Sequence, residues 1–435
     1  MTPGDHDDDT PDDAGQNPFA GTPMEQMFAA FSGGQMPDMN AIMAQMQRMF
    51  EPHEGSVNFT LAKDVARQAL AAAGPDPSPN TAQVGAVSDA MRLAESWLDG
   101  ATSIASGAHT VAAWSRAEWI EETAPTWQRV IEPIAAHVVV AMGEALPDEA
   151  KSMAGPLMGI IGQAGGAMFG QQIGQALAGL ATEVMSSTDV GLPLGPQGVG
   201  AILPENVRAF GEGLGVSQAD VLLYVSLREA AHHRLFSHAM WLRSALVGAI
   251  EEYGRGTTID IAAIEAQIRG IDPSRPEEIQ DALSQGLFEP ERSPAQQAAL
   301  TRLEDLLAFI EGWVDEVVTQ ATRDRMPSAA ALAEAIRRRR AAGGPAEETF
   351  AALVGLELRP RRLREAATLW AALRDRQGTE ARDAVWSHPD LMPTGLDLDD
   401  PLGFAQGETT QEAQAGDDFD SELEALLKGE DPGEA

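Results

Sequence analysis

The densest group of residues able to do chemistry is LREAAHHRLFSHAMWL, Leu227–Leu242, which holds Glu229, His232, His233 and His238 within ten residues. A zinc peptidase helix reads H-E-x-x-H. Its two histidines, one turn apart, bind zinc, and the glutamate activates the metal-bound water. The register here is Arg228-Glu229-Ala230-Ala231-His232. Glu229 therefore stands where the water-activating carboxylate belongs, and His232 where the second ligand belongs. Arg228 stands in the first ligand's place, and a guanidinium has no lone pair to offer a cation. His238 lies six residues beyond His232, about 600° around a helix. A three-histidine site on this helix is thus excluded by geometry, and His233 and His238 read as surface or boundary residues.

Helical spacing predicts the elements that must position this cluster. Helices are expected over about Leu61–Ala72, Thr81–Trp97, Ser152–Thr182, Val207–Leu214, Gln218–Tyr253, Ile259–Arg269 and Pro276–Gln285. Others follow over Pro294–Thr322, Ala329–Ala342, Ala346–Val354 and Pro360–Gln377, separated by Gly- and Pro-rich breakers. Gly198–Leu203 reads as a short strand and GEGLG, 211–215, as a helix terminator. Trp114, Trp119 and Trp127 read as a core anchor, and His109 and His137, each alone, as structural histidines. Ser152–Thr182 carries no charge, yet four glutamines and eight glycines argue against a membrane span. Gly162, Gly166, Gly170 and Gly174 leave one helix face without side chains, where another backbone can approach closely.

The chain has 435 residues, 30 basic against 66 acidic, and no cysteine. Thiolate zinc sites, disulfides and cysteine nucleophiles are excluded, and a reducing, cytoplasmic setting is expected. A net charge of −36 speaks against nucleic acid and anionic membrane surfaces as partners. Residues 1–60 carry −9 and residues 406–435 another −9. The expected organisation is an acidic, Met-rich, largely disordered flank (1–60), a helical domain (61–405) and an acidic tail (406–435). Two segments suit a protein partner. Met24–Phe50 holds seven methionines and three phenylalanines. In Asp418–Gly429, Phe419, Leu423, Leu426 and Leu427 make an apolar stripe on an acidic helix. No basic, apolar leader opens the chain.

SRAEWI (115–120), the Gly-rich helix, LPEN (203–206), the REAAH helix with Trp241-Leu242 and IEGWVDEV (310–317) form a pattern with two later stretches. These are AIRRRRAAGGPAEETFAALVGLELRPRRLREAATLW (335–370) and VWSHPDLMPT (385–394). From about residue 97 to 404 the sequence resembles an all-α, zincin-like family of zinc-dependent metalloproteases or hydrolases of actinobacteria and related bacteria. The resemblance implies a mostly α, zincin-like helical domain built around a long metallopeptidase-type helix, with zinc as cofactor. Members with a full motif read H-E-x-x-H and take a third ligand from a later E-G-H. The matching segment here is Glu311-Gly312-Trp313, and Trp313 offers no lone pair. Carried over residue by residue, Glu229 keeps the water-activating role and His232 one ligand position. Two ligands are replaced, by Arg228 and Trp313.

Two arrangements could follow. Glu229 and His232 form an E-x-x-H unit that Glu311, Asp315 and Glu316 could complete as a carboxylate-rich metal site. Alternatively Arg228 substitutes for the cation, pairing with Glu229 or Glu311 within reach of Tyr224. The expectation is a metallopeptidase-like protein with a degenerate metal site, serving as a scaffold or regulatory binding protein, with zinc doubtful as a cofactor. The alternative is an active metal-dependent hydrolase using Glu229 as base and His232 and Glu311 as ligands. His388 and Asp390 of WSHPD are further cleft candidates. The arginines of 337–340 are expected to pair with Glu334, Glu347, Glu348 and Glu365. No G-x-S-x-G elbow, P-loop or strand-borne G-x-G-x-x-G occurs.

Overall fold

The computed structural model describes residues 53, 55–144, 154–255, 293–341 and 362–407. The segments Met24–Phe50, Ile259–Arg269, Pro276–Gln285, Ala346–Val354 and Asp418–Gly429 lie outside the described residues. Helices dominate, as the spacing predicts. α1 (Phe59–Ala73) starts on Asn58, whose side chain accepts from the Leu61 amide. α2 (Thr81–Leu98) starts on a capping box between Asn80 and Gln83. α3 (Arg116–Glu144) and α4 (Ala154–Ala181) follow.

The glycine face of α4 meets α1 and the chain leading into it. A Cβ on Gly170 would lie 2.5 Å from the Asn58 carbonyl oxygen, and one on Gly174 2.4 Å from that of Ala62. Backbone packs directly on backbone there, which only a residue without a side chain allows. Among the described residues no helix is long and apolar enough to cross a membrane.

Two short strands, β1 (Thr110–Ala113) and β2 (Val199–Ile202), pair in parallel with Thr110 opposite Val199. β2 was legible in the sequence; β1 was not, being four residues with no alternation. Ser186 adds an antiparallel bridge to Ile202. After α5 (Pro204–Gly211) come α6 (Gln218–His238) and α7 (Met240–Arg255). The single helix expected over Gln218–Tyr253 is therefore two. The break falls at Ala239 (φ −87°, ψ 73°), with no glycine or proline to announce it. Tertiary contacts hold the bend: the Trp241 indole stacks on Trp386 and its Nε1–H donates to the Trp386 carbonyl at 3.0 Å.

α8 (Pro294–Thr322) begins with a Ser293–Gln296 capping box and proline in its first turn. α9 (Ala329–Ala341), α10 (Leu363–Gln377), α11 (Thr379–Ala384) and α12 (Pro401–Gln406) complete the described chain. α8 is the central post, packed by α6, α7 and α10. Trp119, Trp127, Trp313, Trp370 and Trp386 are all fully buried, and Trp114 is buried with them, so the anchor expected of the first tryptophans extends through a second cluster on α8 and α10.

Candidate functional site

α6 carries buried residues around nearly its whole circumference from Tyr224 to Leu235, charged ones included. An apolar-stripe helix would not do this, so α6 must satisfy several buried charges on different faces. Arg234 pairs with Glu95 and Asp99, and the others meet two buried carboxylates, Glu229 of α6 itself and Glu311 of α8.

Glu229 points towards β2 and the segment before it. Its Oε1 accepts from the Ala201 amide (3.1 Å) and from His233 Nε2 (3.1 Å), and also from the Ser187 hydroxyl. Its Oε2 accepts from the Thr188 amide (3.2 Å) and the Thr188 hydroxyl. Burial alone would raise this carboxyl. Hydrogen bonds from His233, Ser187 and Thr188, with the His233 charge, outweigh burial and bring it down to about 2. Glu229 thus ties α6 to β2 and to Ser187–Thr188, and no oxygen is left facing open space. A carboxylate so placed is a weak base at neutral pH.

Glu311 faces the other side of α6. Its Oε1 lies 3.1 Å from His232 Nε2. Its Oε2 takes the Arg228 guanidinium and, at 2.6 Å, Arg340 Nη1 from α9. His232 Nδ1–H donates to the Arg228 carbonyl at 2.8 Å. All three residues of α6 and α8 are buried. Burial opposes the charge of Glu311, but Arg340, His232 and Arg228 hold its carboxyl well below the usual range. Burial likewise opposes the Arg228 charge, and Glu311, with help from Tyr224, Asp315 and Asp189, more than compensates. Of the two carboxylates considered for Arg228, Glu311 is the one it meets. Tyr224 is near enough to feel Arg228, and burial pushes its phenol up to about 12.

α9 closes this arrangement. Arg340 Nη2 donates to the Asp189 carbonyl (2.7 Å), Arg339 pairs with the Asp189 carboxylate (3.0 Å), and Arg337 with Asp315 (2.9 Å). The arginine run does pair internally. Among the described residues, however, its main partners are Asp189, Glu311 and Asp315, far away in sequence, with Glu334 serving Arg337 and Arg338.

The remaining candidates lie elsewhere. Trp313 sits two residues, about 200°, around α8 from Glu311. Its Nε1–H donates to Asp383 Oδ1 at 3.0 Å, and the Arg382 guanidinium stands 5.8 Å from its ring. Asp383 in turn accepts from the Thr102 hydroxyl and the Ser103 amide. Trp313 therefore belongs to a structural cluster on the opposite face from Arg228. Glu316 pairs with Arg374 and not with α6. His388 and Asp390 sit on an exposed turn, where His388 Nδ1 accepts from the Asp390 amide. Three histidine expectations are corrected. His233 is buried, because it lies one turn from Glu229 on the same face, whereas His109 and His137 are exposed. Sequence reasoning missed Arg340, Asp189, Ser187 and Thr188, since nothing in their local spacing joins them to α6. Among the described residues no three His, Cys, Asp or Glu side chains are grouped to hold a metal ion.

A family model described as zincin-like metallopeptidase matches residues 57–405. Among solved structures, a candidate hydrolase with a novel fold from Chloroflexus aurantiacus is similar, with a TM-score of 0.56 at 19% identity. The match covers 82% of this chain and 99% of that one. At that identity the likeness concerns the fold. No curated protein matches.

Proposed function

The chain belongs to the zincin-like metallopeptidase family, and from that premise we propose that it is a non-catalytic member, kept as a folded scaffold or regulatory binding protein. One observation carries the reading. Where a metal would be held between α6 and α8, the Arg228 guanidinium is ion-paired to Glu311, with Arg340 on the same oxygen. A catalytic zinc site needs three protein ligands, and His232 and Glu311 supply two. A dication placed between them would also sit beside two guanidinium groups in a medium that screens charge poorly. The residues present do not fit zinc, so no hydrolytic step is derived through it. Glu229, bound by Ala201, His233, Ser187 and Thr188, is unsuited to the base role for the same reason that it is stable. The absence of cysteine favours a cytoplasmic setting.

The test is the metal content of the full chain, purified without chelator or nickel resin, together with hydrolysis of unfolded protein and peptide substrates in added zinc. The expected result is far less than one zinc per chain and no hydrolysis above background. Stoichiometric zinc that disappears in His232→Ala, or hydrolysis lost in Glu229→Gln, would overturn the proposal.

A further inference from the structure

An apolar groove opens between α3, α7 and the loop through Leu192. It encloses about 80 Å³ and is walled by Val130, Leu192, Leu246 and Ile250, with Arg129 and Arg243 at its polar margin. A cavity of ~150 Å³ accepts a benzene ring, so this one has room for the end of a single apolar side chain.

The two arginines are the unusual part. Among the described residues Arg129 bonds within its own turn, to the Pro125 carbonyl and the Thr126 hydroxyl. Arg243 is half-buried, and neither has a carboxylate partner among the described residues. Burial, and then the Arg129 charge, hold Arg243 below the usual arginine range. In a chain with 66 acidic side chains, two neighbouring cations beside an apolar slot mark a place for an incoming acidic group.

We propose that the groove docks this chain's own acidic tail, Asp418–Gly429, with one apolar side chain of its Phe419–Leu423–Leu427 stripe in the slot and Asp420 and Glu424 on Arg129 and Arg243. Phe419, Leu423 and Leu427 recur every four residues, and Asp420 and Glu424 follow the first two by one, so a helix presents both sets along one edge. Ten residues separate Gly407 from Asp418. At up to ~3.5 Å each they span about 35 Å, so the tail can dock well away from the point where the described chain ends. The other apolar flank, Met24–Phe50, carries only Glu25 and Asp38 against Arg48, so charge selects the tail. The proposal stands independently of the Glu311 cluster.

Hydrogen exchange on the full-length protein tests it. Amides of 419–427 should exchange at least about tenfold more slowly than an unstructured peptide. That protection should vanish in Arg129→Glu/Arg243→Glu and return when Asp420→Lys/Glu424→Lys is added. Because the groove variant could disturb α3 or α7, Leu423→Asp/Leu427→Asp provides an independent arm outside the described fold. It should speed exchange at the amides of 246–250 while the Tm of the domain falls by at most a few degrees, the loss expected when a segment that binds only the folded state is released. Unstructured exchange rates at 419–427 in the unmodified chain would overturn the proposal. So would protection that rises with protein concentration, which would place the tail on a second copy, and so would protection unaffected by both double variants.

Discussion

At the scale of single residues, the chemistry turns on what surrounds two buried carboxylates. Glu311 faces three basic side chains from two helices besides its own. Removing one partner of a buried pair leaves an uncompensated charge, which costs ~3–5 kcal/mol. Glu311→Ala, which leaves the buried Arg228 without its carboxylate, should therefore destabilise the chain by about that amount in chemical denaturation. In Arg228→Ala/Glu311→Ala the loss should be less than additive, because each substitution removes the other's partner. Glu229 makes a prediction about acid. Its folded pKa, about 2, lies below the ordinary carboxyl value of 4.5. The associated stability is then fully present above that ordinary value and is lost as pH falls towards the folded one. At 1.36 kcal/mol per unit the contribution is on the order of 3 kcal/mol. Glu229→Gln should be less stable than the unmodified chain at neutral pH, and the gap in urea midpoint should close between about pH 4.5 and 2. A gap that stays constant over that range would show that Glu229 is not ionised in the fold.

At the scale of elements, glycines distinguish a contact from a mere helix position. Gly170 meets the Asn58 carbonyl oxygen at 2.5 Å from where its Cβ would be, whereas nothing lies within 4 Å of a Cβ on Gly85 in α2. Alanine is worth up to ~1 kcal/mol over glycine in a helix interior. Gly85→Ala should therefore stabilise, by up to ~1 kcal/mol. Gly170→Ala should destabilise by ~1–3 kcal/mol through overpacking, and thermal melts of the two variants should shift in opposite directions. The four-residue glycine repeat made a close backbone contact on α4 legible from the sequence, because it shows as a local period, but not that α1 supplies it. Caps such as Asn80–Gln83 and Ser293–Gln296 are equally local, and α8 begins and ends where the spacing places it. The α6–α7 break and β1 were not legible. The first depends on Trp241 reaching Trp386 across the fold, and the second on pairing with β2. The candidate site divides in the same way. Arg228, Glu229 and His232 could be named from one helix, but Arg340 and Asp189 join it only through tertiary contacts.

At the scale of the whole molecule, the question is which part of the charge governs stability. The net −36 includes −9 on each flank, leaving −18 over residues 61–405. Mutual repulsion of that excess opposes the compact state. Against it stand exposed ion pairs such as Arg208 with Glu205 and Arg92 with Asp89, whose side chains are about half or more exposed. Such pairs contribute only ~0–1 kcal/mol each and are screened by salt. The pairs that matter most, Arg228–Glu311 and Arg234–Glu95, are shielded from solvent ions because their arginines are buried. Salt therefore weakens a small favourable term and a larger unfavourable one while leaving the strong pairs nearly untouched. Raising NaCl from ~0.02 to ~0.3 M shortens the screening length from more than 20 Å to about 6 Å. The Tm of the full chain should rise by a few degrees over this range. A fall would mean that the exposed pairs outweigh the acidic excess, and that the charge balance of the folded part is set by local pairing.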